Sequence, residues 1–264
     1  MDAPDRSEAI LVRLEGLLKR LGLTPFSAKI AVGFLKQQLE TEGGAHRMAR
    51  VVAYLLGQLN GTAAAPTTVV DWQRGCPNRL LGLRSMPFWP REAFSWLPQL
   101  EQCVPDILRE FLAAKSEGAE GLFQPYRSPR SSASSSSSSQ KPGDALGEFA
   151  TDSGSWNVCY LQLHGMDFEA SMARFPRTVE AVQRLVPRPY NHTFLSALSG
   201  GAHITPHYGP TNKKLRLHLP LLVPDGGAWL RVAEQRVQLA RGRAIIFDDS
   251  HEVRTALSPL ALPL

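Results

Sequence analysis

Residues 215–247, LRLHLPLLVPDGGAWLRVAEQRVQLARGRAIIF, decide the fold class. Short apolar stretches alternate there with the turn residues Pro224-Asp225-Gly226-Gly227 and Ala240-Arg241-Gly242-Arg243. Such regular short spacing favours a sandwich or jelly roll over a parallel α/β sheet. We therefore predict an antiparallel β core that includes these strands: Leu215–Val223, Ala228–Val232, Arg236–Leu239 and Ala244–Phe247.

The chain upstream of this stretch predicts further strands and flanking helices. Val158–Leu163 and Thr193–Leu198 have strand-like composition, and residues 169–185 have helical spacing. A helical pattern also runs from Trp96 to Ala114. The predicted fold class is mainly β, a double-stranded β-helix (jelly roll) with flanking α-helices and a helical N-terminal segment.

The N-terminal segment has apolar residues at helical spacing from Ile10 to Leu21 and again from Ile30 to Leu59, with Gly43-Gly44 between two predicted helices. Their polar faces are not strongly basic, which favours packing on a neighbouring domain over an amphipathic membrane anchor. We predict a helical segment at 1–60, a linker at 61–73 and the β domain at 74–264.

A polar insertion interrupts the predicted β domain at residues 128–143, where serines dominate from Ser134 to Ser139. Such a stretch lacks apolar residues large enough to offset the entropy of ordering it. We predict a disordered insertion without chemistry of its own.

Composition limits the class of protein and its compartment. The chain has 264 residues, 43% of them hydrophobic, and a formal charge of +5 with its cations scattered, so we expect a globular protein that does not bind nucleic acid. Cys76, Cys103 and Cys159 form no CxxC pair, which favours a reducing compartment. With no signal peptide and no apolar run of ~20 residues, we predict a soluble, cytoplasmic protein without an integral membrane segment.

Histidines provide the candidate site. His203 and His207 are four residues apart, but Thr205-Pro206 between them argues against a helical metal site. Strand alternation places Arg216 and His218 on one face, where they could bind an anion such as a dicarboxylate or line an ordinary wet sheet surface. His251 follows the strand Ala244–Phe247 and is a potential ligand.

Three segments together resemble the aspartyl/asparaginyl β-hydroxylase family. They are residues 203–212 (HITPHYGPTN), residues 215–218 (LRLH) and residues 246–250 (IFDDS). Weaker similarity extends upstream through residues 154–156 (GSW), 123–126 (FQPY) and 83–96 (LRSMPFWPREAFSW), so that it covers about two-thirds of the chain but not the N-terminal helices.

The resemblance implies a cupin-like oxygenase that uses Fe(II), 2-oxoglutarate and O2. It assigns iron to His207 and His251, with Gly209 at the position where related oxygenases carry a carboxylate ligand. It assigns 2-oxoglutarate contacts to four residues, which are Ser196, Arg216, Leu217 and His218.

The activity that this resemblance implies is hydroxylation of the β-carbon of Asp or Asn residues in a peptide or protein substrate. The alternative from another class is a catalytically impaired relative that acts as a binding or interaction module. A third possibility is a zinc protein that uses the same histidines, because imidazole binds Zn as well as Fe.

The sequence departs from the family pattern in three places. Gln162 stands where the family often has tryptophan, and the connection between Ser250 and His251 lacks two residues. The family also has an arginine about ten residues beyond the second histidine that binds the distal carboxylate of 2-oxoglutarate, whereas this chain reads Leu260-Ala261-Leu262. The prolines in residues 258–264 do not suit a central strand, so we expect a truncated or alternative C-terminus that lowers activity.

Overall fold

The computed structural model describes residues 3–40, 48–62, 71–128, 148–149, 151–187, 192–224 and 227–258. Most of the predicted serine-rich insertion, most of the predicted linker, Gly43-Gly44 and residues 259–264 lie outside these ranges. Among the described helices, none is long and apolar enough to cross a membrane.

Three helices form the N-terminal part of the described chain: α1 (Ala3–Arg20), α2 (Pro25–Leu39) and α3 (Ala49–Leu59). The hydroxyl of Thr24 accepts from the amide of Ser27 and caps α2, while Pro25 at its first position needs no intrahelical donor. The two predicted helical runs are therefore confirmed as helical. Their buried side chains form one apolar cluster: Leu17, Leu18, Leu21, Leu23, Ala28, Leu35, Met48, Val51, Leu55, Leu80 and Leu83.

The N-terminal helices pack on the chain that follows them. Arg50 of α3 donates to the carbonyl oxygens of Arg84 (2.8 Å) and Asn212 (2.6 Å). The Leu81 amide donates to the Leu21 carbonyl at 3.2 Å, and Leu80 lies in the same apolar cluster. These contacts hold the helices against the segment that leads to the candidate site, and the division into domains stays a prediction.

Two predicted single helices are each split in two. Residues 97–116 form α4 (Leu97–Gln102) and α5 (Val104–Ser116), and residues 169–185 form α6 (Glu169–Arg174) and α7 (Pro176–Leu185). A proline lies in the first turn of α5 and of α7, where it cannot donate to the preceding turn. Each break therefore follows from the local sequence.

The strands form separate antiparallel sheets. The five-stranded sheet has the order β11-β10-β13-β8-β4, the four-stranded sheet joins β1, β6 and β7 to β5, and the pairs β12-β9 and β2-β3 are separate. The strand bounds are β1 (Gln124–Pro125), β2 (Arg127–Ser128), β3 (Glu148–Phe149), β4 (Thr151–Ser153), β5 (Trp156–Leu163), β6 (Met166–Asp167), β7 (Thr193–Leu198), β8 (His203–His207), β9 (Arg216–His218), β10 (Ala228–Val232), β11 (Gln235–Gln238), β12 (Ile245–Phe247) and β13 (Val253–Leu257).

The antiparallel core is confirmed, but the described chain is mixed α/β and not mainly β. Six predicted strands are present, and the prediction did not include the other seven, which are β1, β2, β3, β4, β6, β8 and β13. Leu215–Val223 contributes only β9, because Pro220 lacks the amide that a longer strand would need. The proline argument against a helical His203/His207 pair is confirmed, since both lie on β8.

Candidate active site

A buried carboxylate bound by two cations marks the candidate site. Asp249, the second residue after β12, accepts from Lys214 Nζ at 2.7 and 2.9 Å and from Arg216 at 2.9 and 3.2 Å. Burial opposes ionisation of Asp249, but Arg216 and Lys214 outweigh it and lower the pKa of this carboxyl group. Lys214 and Arg216 carry two positive charges against the one negative charge of Asp249, and the Asp248 carboxylate also acts on Lys214. Two adjacent cations suit an incoming anion.

His218 faces the same cluster. On β9 the side chains of Arg216 and His218 alternate with Leu217, whose side chain packs with Leu97 and Ile246. The His218 ring lies edge-on to Phe247 at 4.7 Å, and burial followed by the charge of Arg216 lowers its pKa to about 3. A neutral imidazole and a guanidinium thus share one face.

His207 at the end of β8 offers one unshared ring nitrogen. Its Nδ1 lies 2.9 Å from the carbonyl oxygen of Thr205, which can only accept, so Nδ1 carries the hydrogen and Nε2 presents a lone pair. Burial is the main cause that lowers the pKa of His207, and Arg216 and Asp249 are among the charges that act on it. The structure therefore brings together His207, Arg216 and His218.

His251 lies in a neighbouring cluster. Its side chain is 5% exposed, its Nε2 is 2.9 Å from the Ser85 hydroxyl, and its Nδ1 is buried without a hydrogen-bond partner. Burial lowers its pKa, opposed by Asp248. The charges that act on His207 come from Arg216 and Asp249, so the two imidazoles have different immediate neighbours.

Ser196 lies on the exposed face of β7 and accepts a 2.8 Å hydrogen bond from the Trp156 indole. Tyr126 stacks on Trp156 at 3.8 Å, and Trp156 lies 6.5 Å from the His207 ring. Further along the same sheet face, Phe194 lies 6.0 Å from the Arg216 guanidinium. These side chains form an aromatic wall beside the cation cluster.

Sequence reasoning missed the roles of Lys214, Asp249, Ser85 and the aromatic wall. The alternation of large residues on β5 could have indicated the wall, because Trp156 and Tyr160 share a face. Ser85 lies in residues 83–96, which resemble the family, but no local pattern indicates that it contacts His251, which is 166 residues away.

Gly209 leaves room for the Asp249 carboxylate. A Cβ at this position would lie 2.3 Å from Cγ and 2.4 Å from Oδ1 of Asp249. We therefore expect Gly209→Ala to push Asp249 away from Lys214 and Arg216 and to lower the free energy of unfolding by about 3 kcal/mol. Urea unfolding of the variant and of the unchanged protein measures this difference in the free energy of unfolding.

Gly33→Ala is the matched control, because a Cβ at Gly33 of α2 meets nothing within 4 Å. It should raise stability by about 0.5–1 kcal/mol, since alanine is the better helix former. Equal stability of Gly209→Ala and the unchanged protein would contradict the close packing of Asp249 on Gly209.

The lowered pKa of His218 predicts a loss of stability on mild acidification. The folded pKa is about 3 and the usual value is 6.5, so the unfolded chain binds the proton first as the pH falls. This contribution is fully present above pH ~6.5 and is lost below it by at most about 1.4 kcal/mol per pH unit. Urea unfolding between pH 7.5 and 5 should show a shallower pH dependence for His218→Gln, and parallel curves would contradict the prediction.

The comparisons with known proteins agree on one family. A family-wide sequence profile described as Aspartyl/Asparaginyl beta-hydroxylase matches residues 101–256. The chain is 28% identical over 209 residues to the mouse protein named "Aspartyl/asparaginyl beta-hydroxylase", covering 75% of this chain and 24% of that protein. It is 32% identical over 173 residues to "Aspartate beta-hydroxylase domain-containing protein 2" of Xenopus tropicalis, covering 64% and 41%.

A bacterial relative carries a different substrate in its name. "Ornithine lipid ester-linked acyl 2-hydroxylase" of Rhizobium tropici is 28% identical over 187 residues, covering 70% of this chain and 60% of that protein. The chain spans 24% to 60% of the length of these relatives. The described structure has antiparallel sheets with His207 and His218 beside the Lys214, Arg216 and Asp249 side chains. The chain belongs to the aspartyl/asparaginyl beta-hydroxylase family of 2-oxoglutarate-dependent hydroxylases, which implies a cupin-like fold.

The donor chemistry of His207 and His251 fits the iron that this family typically uses. Each offers a ring nitrogen without a hydrogen-bond partner on the described protein, Nε2 of His207 and the buried Nδ1 of His251. Burial lowers both pKa values and so favours the neutral form that binds metal. The part of the chain that the structure describes contains no group of three or more His, Cys, Asp or Glu side chains that could hold a metal. The assignment to these two histidines stays a prediction.

Proposed function

We propose that this chain is an Fe(II)- and 2-oxoglutarate-dependent dioxygenase that hydroxylates the β-carbon of Asp or Asn residues in a peptide or protein. The observation that carries the proposal is the convergence of His207, Arg216 and His218 within a family of 2-oxoglutarate-dependent hydroxylases. His207 and His251 would hold the iron. When bound, iron activates O2 and allows an unreactive C–H bond to be hydroxylated while 2-oxoglutarate is converted to succinate and carbon dioxide.

The residues of this chain bind and orient the co-substrate. Arg216 has the planar fork that pairs with a carboxylate through two hydrogen bonds, and it lies on the same face as His218. His218 is neutral, so it can donate one hydrogen bond to a carboxylate oxygen without a change of charge. The Ser196 hydroxyl, already paired with Trp156, is exposed and free to donate to a second carboxylate.

Asp249 must give up part of its hold on Arg216 when an anion binds. Lys214 contacts both oxygens of Asp249 and can retain it, so Arg216 can turn to the co-substrate without leaving a buried carboxylate unpaired. Trp156 and Phe194 on the aromatic wall exclude water from one side of the cluster and strengthen its charge interactions.

A second candidate function is a non-catalytic binding module with the same fold. The specific observation in its favour is that Asp249 already neutralises Arg216, while His251 is engaged with Ser85. In this function Lys214, Arg216 and the aromatic wall would bind an acidic segment of a partner protein without a chemical reaction.

Succinate release from 2-oxoglutarate, with Fe(II) and O2 supplied, tests the proposal. Peptides that contain Asp or Asn should increase succinate release and gain one oxygen atom by mass spectrometry. An ester-linked acyl lipid is the comparison substrate, because one relative is named for that class. Binding of 2-oxoglutarate without succinate release under any of these conditions would favour the binding module.

A further inference from the structure

Ser85 contacts both His251 and Asp248. Its hydroxyl oxygen lies 2.9 Å from His251 Nε2, 2.7 Å from Asp248 Oδ2 and 2.8 Å from Gln73 Nε2. Gln73 also donates to the Ser250 hydroxyl at 2.7 Å, and the Ser250 amide donates to Asp248 Oδ1 at 3.0 Å. The residues around Ser85 are therefore joined in one closed hydrogen-bond network.

The number of hydrogens available in this network determines which tautomer the His251 imidazole adopts. Ser85 has one hydrogen and gives it to the Asp248 carboxylate, which only accepts. The Gln73 amide fills one acceptor position of the Ser85 oxygen. A contact with His251 then requires Nε2 to donate its hydrogen to the other position, which leaves Nδ1 unprotonated.

This unprotonated Nδ1 has no hydrogen-bond partner on the described protein, although the side chain is 5% exposed. A buried polar nitrogen without a partner costs about 1–3 kcal/mol, and such groups in native proteins usually face a ligand, an ion or a water molecule. The Asp248 carboxylate accepts from the Ser85 hydroxyl and the Ser250 amide, and the Gln73 amide nitrogen donates to Ser85 and Ser250. Nδ1 is therefore the unsatisfied atom of this network.

We propose that Ser85 is a positioning residue for His251, which holds the imidazole with its hydrogen on Nε2 so that Nδ1 is the nitrogen offered to the metal. The arrangement is a carboxylate, a hydroxyl and an imidazole in sequence, and it parallels the carboxylate–histidine pairs that orient metal ligands in other proteins. The inference rests on the proposed iron site and adds to it the ligand atom and the residue that selects this atom.

Two measurements on the full chain test this assignment. In metal-free protein labelled with ¹⁵N-histidine, the His251 signals are identified because they are absent from the spectrum of His251→Gln. Long-range proton–nitrogen correlation should show that His251 has a protonated Nε2 and an unprotonated Nδ1. In anaerobic calorimetric titration with Co(II), Ser85→Ala should bind the metal about 10- to 100-fold more weakly. Ser85→Thr keeps the hydroxyl and should restore binding.

Ser250→Ala is the matched control, because it removes a hydrogen bond from the same Gln73 amide but no contact with His251. It should bind Co(II) like the unchanged protein, and an equal loss in Ser250→Ala and Ser85→Ala would overturn the specific role of Ser85. A protonated Nδ1 in the metal-free protein would also overturn it, even if Ser85→Ala fails to fold.

The same titrations separate this inference from the proposed function. If His251→Gln weakens Co(II) binding and Ser85→Ala does not, the positioning role fails and the iron site stands. If neither His207→Ala nor His251→Gln changes Co(II) binding, the iron site of the proposed function fails, and the metal-free spectrum still determines whether Ser85 selects the imidazole form.

Discussion

Replacing His207 by alanine is expected to abolish stoichiometric binding of Fe(II) while the fold remains. His207 is partly buried, and within the described residues it forms a hydrogen bond through Nδ1 with the carbonyl of Thr205, so its replacement removes that one contact. A site with two protein ligands retains little affinity when one is removed, because the remaining ligand competes with water for the metal. Anaerobic calorimetry with Fe(II) measures the binding, and circular dichroism checks the fold.

His251→Ala should have the same effect on iron, and His203→Ala is the matched control. His203 lies on the same strand as His207 and is separated from it by Ile204, Thr205 and Pro206. Its imidazole pairs with Asp152 at 2.8 Å. The His203 variant should bind iron normally. Unchanged iron binding in the His207 variant would exclude the proposed metal site.

Replacing Arg216 by alanine is expected to weaken 2-oxoglutarate binding by about 100-fold or more. Removing one partner from a hydrogen-bonded charge pair in a partly buried site costs about 3 kcal/mol, and each 1.4 kcal/mol changes affinity tenfold. Lys214 keeps Asp249 paired in this variant, so a general loss of structure is not expected. Calorimetric titration with 2-oxoglutarate in the presence of Mn(II) measures the affinity.

Two variants show whether charge alone explains this effect. Arg216→Lys keeps the cation but loses the planar fork, and it should bind with intermediate affinity. Asp249→Asn removes the carboxylate that competes for Arg216, so it should bind 2-oxoglutarate at least as tightly as the unchanged protein. Weaker binding in Asp249→Asn would mean that Asp249 orients Arg216 and does not compete with the co-substrate.

The role of Asp249 is where the two candidate functions diverge. In the dioxygenase the incoming dicarboxylate replaces Asp249 on Arg216, whereas in the binding module the pair persists and the excess positive charge of Lys214 attracts an acidic partner. The Asp249→Asn titration therefore tests both candidate functions. A change in 2-oxoglutarate affinity would show that the carboxylates of Asp249 and of 2-oxoglutarate compete for Arg216.

Local pattern predicted much of the fold and part of the site. Turn residues separated the strands, and two-residue alternation placed Arg216 and His218 on one face of β9 with Leu217 on the other, because this alternation is a property of any extended backbone. Proline predicted that His203 and His207 would not share a helix. The predicted helices at residues 96–114 and 169–185 were too long, because a proline lies in the first turn of the second helix of each pair.

The sequence by itself determined the family, the antiparallel strands and the face shared by Arg216 and His218, since these depend on residues close together along the chain. The tertiary structure alone decided that Asp249 lies between Lys214 and Arg216 and that Ser85 meets His251 across 166 residues. Strand patterns specify which way a side chain points, but they do not specify which distant segment it meets. That choice depends on how the sheets and helices pack around the shared core.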